Sequence, residues 1–135
     1  MDLDRALSIS AAGMAAQSSR LRVVAENIAN RDSTGQSPGA EPYRRKTITF
    51  DNRLDRALGT NTVRVGRVGT AAGDFPEQFD PSHPAADARG YVRRPNVDSL
   101  IETMDMREAQ RSYSANLSVL ETTRGMLTRA IEALR

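Results

Sequence analysis

All six prolines of this 135-residue chain fall between Arg31 and Asn96, and neither end contains one. Proline removes a backbone donor and clashes with the preceding turn, so long helices are confined to the two proline-free ends. In the first of these, Leu7, Met14, Leu21 and Ile28 recur every seven residues. Leu3, Ala11, Val24 and Ala25 widen that line into an apolar face, with Gln17, Ser18, Arg22 and Glu26 on the other flank. In the last, Met106, Tyr113, Leu120, Leu127 and Leu134 repeat the spacing, and Leu117 and Ile131 fill intermediate positions. The pattern predicts helices over Leu3–Asn30 and Val97–Leu134, ~40 Å and ~57 Å long at the usual rise per residue. Asn96, after Pro95, reads as the N-cap of the second helix, whose first turns hold Asp98, Glu102 and Asp105 as the helix dipole favours.

Between the helices, YRRKTITF (Tyr43 to Phe50) and TVRVGRV (Thr62 to Val68) alternate as strands do, with Gly66 as a candidate bulge. GYVRRP supplies a further short extended piece, whereas DFPEQFDPSHP reads as irregular because of its prolines. The expected fold class is α+β: long amphipathic helices over 1–30 and 97–135, and a small β-rich, loop-rich insert of two to four strands over 31–96. Helices of this length cannot bury their stripes on so small a middle. They pack on each other or on other copies, and pattern alone leaves both arrangements open.

Two asparagines punctuate the end of the first helix in VAENIANRDS, although asparagine is a poor helix former. Asn27 is expected to bridge a helix interface and fix its register, and Asn30 to close the helix in a left-handed turn. Asn116, beside Leu117, is a candidate partner amide. In an antiparallel pair with flush ends it falls about one turn from Asn27.

Composition removes most chemistry. There is no cysteine and one histidine, so thiol catalysis and most zinc and Ser–His arrangements are excluded. The net charge of +2 is small, and its basic side is almost all arginine, with Lys46 the one lysine. The acidic start MDLDRALSIS does not read as a cleaved secretory signal, and no apolar run approaches a membrane span. A soluble chain is expected. His83 with Asp80 and Asp87 resembles a ligand set only loosely and reads better as a proline-stiffened loop. Arg44, Arg45 and Lys46 are divided between two faces of a strand, which suits salt bridges better than phosphate. Gly66, Gly69 and Gly73 match no phosphate-loop spacing. No catalytic, cofactor-binding or metal-ligating residue is assigned, and no cofactor is expected.

ALSISAAGMAAQSSRLRVVAENIAN resembles the N-terminal signature of the flagellar rod and hook axial family. PYRRKTITF, FDPSHPAADARGYVRRPNVD and MREAQRSYSANLSVLETTRGMLTRAIEAL are similar to its short proximal-rod members, so the resemblance covers nearly the whole chain. It implies a structural subunit with no catalysis. Such a subunit leaves the cytoplasm through the flagellar type III export apparatus without a cleaved signal and joins the periplasmic rod of the basal body. The terminal helices are then expected to pair as an antiparallel coiled coil and to assemble through Leu7, Met14, Leu21, Val24, Asn27, Ile28 and Asn30 with Tyr113, Asn116, Leu117, Leu120, Leu127, Ile131 and Leu134. Central subunit contacts are expected at Tyr43, Arg44, Arg45, Lys46, His83, Tyr91 and Asn96. Implied partners are other copies, the rod proteins FlgB, FlgF and FlgG, the adaptor FliE and the export apparatus, without nucleic acid or membrane insertion. The alternatives are another axial subunit or a coiled-coil nucleic-acid binder.

Overall fold

The computed structural model describes residues 2–135. In chain order the elements are α1 (Leu3–Ala29), β1 (Lys46–Asp55), β2 (Thr60–Thr70), β3 (Glu77–Phe79), β4 (Tyr91–Arg93) and α2 (Ser99–Ala133). The architecture is α+β. Its four strands form two separate two-stranded sheets, β1–β2 and β3–β4. The chain divides into two compact units that each draw on both helices and the middle.

The first unit comprises residues up to Leu21, Ile48–Arg67 and Met106–Arg135. Here α1 and α2 run antiparallel: Gly13 faces Asn116, and Arg20 Nη2 lies 3.3 Å from Glu108 Oε2. A Cβ on Gly13 would stand 2.9 Å from the Asn116 amide, so the helices approach closest where one has no side chain. The buried line of α1 in this unit is Ser10, Gly13 and Ala16; that of α2 is Ala109 and Thr123, with Asn116 half-buried midway. These are small or polar residues. Leu7, Met14, Leu21, Tyr113 and Leu120 are only half-buried, and Leu117, Leu127, Ile131 and Leu134 are exposed. A reading by apolar size therefore finds the outer faces of the helices, because close helix contact selects short side chains.

The β1–β2 hairpin turns through Asp55, whose Oδ1 accepts hydrogen bonds from the Ala57 and Leu58 amides, and through Gly59 at φ 61°. Thr49 ties across to Arg67, accepting from its amide at 3.1 Å. Val63 and Val65 of β2 lie by the small-residue surface Ala12, Ala15, Ala16 and Ser19 of α1.

The second unit comprises Arg22–Thr47 and Val68–Asp105. Val23, Val24, Ala85 and Val92 are its buried apolar side chains. β3 and β4 pair antiparallel, with Gln78 opposite Val92 and Phe79 opposite Tyr91. β3 lies inside the stretch read as irregular: Pro76 and Pro81 bracket Glu77–Phe79 without interrupting it, so the ladder keeps its donors. The loop after α1 closes on itself, the Tyr43 amide donating to the Ser33 carbonyl at 2.9 Å.

Candidate functional site: the Asn27 junction and the outer helix faces

Asn27 is 1% exposed and uses every hydrogen-bonding position of its amide. Its Nδ2 donates to the Lys46 carbonyl (2.9 Å) and to Glu102 Oε2 (3.2 Å). Its Oδ1 accepts from the Tyr43 hydroxyl and from the Lys46 amide, both at 2.8 Å. One side chain on α1 thus fastens the start of β1 and the first turns of α2. The expected pairing with Asn116 does not occur. Asn116 donates to the Ser112 carbonyl of its own helix at 2.9 Å, while Asn27 meets Glu102, about two and a half turns from the position that flush ends would give.

Asn30 also differs from expectation. No described residue other than glycine has positive φ, so the helix does not end in a left-handed asparagine. Instead Asn30 Nδ2 folds back onto the Glu26 carbonyl (2.9 Å), and its Oδ1 accepts from Ser33 Oγ (3.1 Å). Nor is Asn96 the cap of α2. Asp98 is, accepting from the Leu100 and Ile101 amides. Asn96 accepts from the Arg45 amide at 2.8 Å, a task set by the neighbouring strand entry and invisible in local sequence.

Glu102 has a fully buried side chain, and Arg45 Nε contacts its Oε1. Arg45 also reaches Asp105 at 3.5 Å. A buried carboxylate is tolerable only when paired and hydrogen-bonded, and Asn27 and Arg45 together supply both. Lys46 Nζ lies 2.8 Å from Glu26 Oε2, and that hydrogen-bonded carboxylate holds the ammonium above its ordinary pKa. Burial pushes the Tyr43 phenol up, partly offset by the Lys46 charge. Arg44 turns elsewhere, donating to the Ala71 and Gly73 carbonyls at 2.9 Å and stacking over Phe75 at 4.2 Å. The Arg44–Lys46 cluster is therefore committed to partners within the chain.

His83 Nδ1 accepts from the Ala85 amide (3.0 Å), which leaves Nε2 to donate to Thr34 Oγ1 (3.2 Å). Asp80 accepts from Ser82, and Asp87 from the Tyr91 and Arg89 amides, which hold its carboxyl below the usual range. These three groups shape one loop, and no metal-binding cluster is present among the described residues. Tyr91 stacks edge-on with Phe79 at 5.3 Å and remains exposed. The second unit also leaves Leu100, Ile101 and Met104 exposed on the outer face of α2.

Comparison with known proteins places the chain in a family. Residues 7–35 match the family model described as "Flagella basal body rod protein", and residues 88–133 the one described as "Flagellar basal body rod FlgEFG protein C-terminal". The flagellar basal-body rod protein FlgC of Agrobacterium fabrum is 51% identical over 133 residues, covering 98% of this chain and 96% of the relative. The chain belongs to the FlgC family of flagellar basal-body rod proteins. FlgC of Salmonella typhimurium is 39% identical over 97% of both chains, and that of Bacillus subtilis 37% identical over 93% of this chain and 94% of the relative. FlgC proteins are structural subunits of the rod and not enzymes, so the residues that matter here are those that hold the subunit's shape and those that face its neighbours. No helix among the described residues is long and apolar enough to cross a membrane.

Proposed function

We propose that this chain is a proximal-rod subunit that polymerises through the outer faces of its two terminal helices, after export by the flagellar type III apparatus without a cleaved signal. The helices act as an antiparallel coiled coil in the assembled periplasmic rod. Neighbouring positions belong to other copies and to FlgB, FlgF, FlgG and FliE. One observation carries the reading: α2 turns small and polar residues toward α1 and leaves Leu117, Leu127, Ile131 and Leu134 exposed. Exposed apolar stripes on such a scale mark interaction surfaces. Fully burying such a side chain contributes ~1.5–3 kcal/mol, most of which the chain alone forgoes at Leu134, and a smaller part at Leu117, Leu127 and Ile131. Among the central residues expected at subunit contacts, Tyr91 keeps that role. Tyr43, Arg44, Arg45, Lys46, His83 and Asn96 serve it indirectly, by holding the subunit's shape. The Arg44–Lys46 cluster, so engaged, offers no free charge to a phosphate backbone.

The test is a triple variant, Leu127→Ser, Ile131→Ser and Leu134→Ser. Its thermal unfolding as an isolated chain is expected to stay close to the parent's, because Ile131 and Leu134 are more than half exposed and Leu127 is 38% exposed. Complementation of a strain lacking the gene is expected to fail, with the variant absent from isolated basal bodies. A variant that restores motility and is recovered in the rod would overturn assembly through this face.

A further inference from the structure

The β1–β2 hairpin carries Arg53, Arg56, Arg64 and Arg67 against Asp51 and Asp55, and all four arginines are exposed. Among the described residues none of these guanidinium groups takes part in an ion pair, whereas Arg20, Arg45, Arg89 and Arg94 all do. Beside them Leu54 is exposed (57%), and Val65 (38%) is partly exposed at the edge of the α1 surface. Of the seven carboxylates in residues 68–105, Glu77, Asp87, Glu102 and Asp105 are paired with arginines of the chain. There Asp74 and Asp98 line an open groove of about 480 Å³ with Pro76, Asn96, Val97 and Ser99. Asp74 has no hydrogen bond or ion pair among the described residues, and Asp98 uses only Oδ1, as the cap of α2. In the first turns of α2 beyond the groove, Leu100 (70%) and Met104 (63%) are exposed.

We propose that the arginine hairpin of one copy docks on the Asp74–Asp98 groove of a second copy. The two surfaces match twice, arginine to aspartate and exposed aliphatic to exposed aliphatic. Arg44 sits at the Gly73 carbonyl without pairing Asp74, and neither Asp74 nor Asp98 has an ion-pair partner among the described residues, so a guanidinium is favoured in the groove. The contact is head-to-tail. A copy that offers its hairpin still has a free groove, so the association continues from copy to copy rather than closing on a dimer. Charge matching of this kind sets partner choice and encounter rate more than raw affinity, and it weakens with salt. The interface rests on the subunit role proposed above and adds to it a contact made by the central insert.

The chain's lack of cysteine allows a direct test. Full-length Val65→Cys chains are mixed with full-length Ala72→Cys chains, or with Ser37→Cys chains as the control, and oxidised at low ionic strength. The Val65–Ala72 heterodimer is expected to form at least about tenfold faster than the Val65–Ser37 one, and high salt is expected to erase the difference. Adding Arg64→Glu and Arg67→Glu to the first chain should abolish it, and Asp74→Arg in the second should restore it. Equal rates for the two pairs at low salt would overturn the proposal. Light scattering on the Arg64→Glu, Arg67→Glu chain separates the two ideas: association that survives those changes but not the serine triple variant leaves the helix-mediated rod assembly standing without this interface.

Discussion

Replacing Asn27 by alanine would strip four hydrogen bonds from one position and leave the Tyr43 hydroxyl and both backbone groups of Lys46 without their partner. Each bond contributes ~1 kcal/mol net and each group left unsatisfied costs ~1–3 kcal/mol, so a loss of roughly 3–5 kcal/mol is expected in urea unfolding of the purified chain. A loss below ~1 kcal/mol would mean that the junction does not organise the fold. Asn27→Asp should also destabilise at neutral pH, because it sets a second carboxylate against buried Glu102 in place of a donor. The sequence marked Asn27 as anomalous, since a poor helix former beside Ile28 needs a reason. It could not name the partners: Lys46 and Glu102 are 19 and 75 residues away, and only the packed register brings them together.

At the scale of elements, both helices and their limits were legible because proline exclusion and seven-residue recurrence are properties of one stretch of chain. α1 ends at Ala29 and α2 begins at Ser99, each within two residues of the expected limits. Which face each helix turns inward was not legible. The apolar repeat through Leu7 and Met14 competes with the parallel repeat of small residues through Gly13, and size favours the wrong one for a close approach. The same distinction separates two helical glycines. Gly13 stands against Asn116, but a Cβ on Gly125 would meet nothing within 4 Å. Gly125→Ala is therefore expected to raise the thermal midpoint, by up to ~1 kcal/mol of stability from helix propensity alone. A lowered midpoint would show that α2 needs flexibility, or closer packing than the isolated chain displays, at that position.

For the whole molecule, the two shifted basic-range groups sit at one junction and act in the same direction. Folding raises the pKa of both Lys46 and Tyr43, so the stability they supply is complete below their unfolded values near ~10 and is lost as pH rises through the folded ones. Asp87 is shifted the other way, and its share is lost as pH falls below ~3.9 toward its folded value. The thermal midpoint is expected to fall above pH ~10, and Lys46→Met should flatten that alkaline limb. An unchanged limb would assign the loss to Tyr43 or to groups outside the junction.

The saturation of Asn27 has a mechanical consequence for a subunit of a rod. Apolar faces slide over one another with little change in energy, since their attraction has no direction. Four short hydrogen bonds converging on one amide lose strength steeply with angle and distance. Twisting α1 against β1 must therefore break them almost together, so the subunit behaves stiffly up to a sharp yield point and its compliance is left to the contacts between subunits.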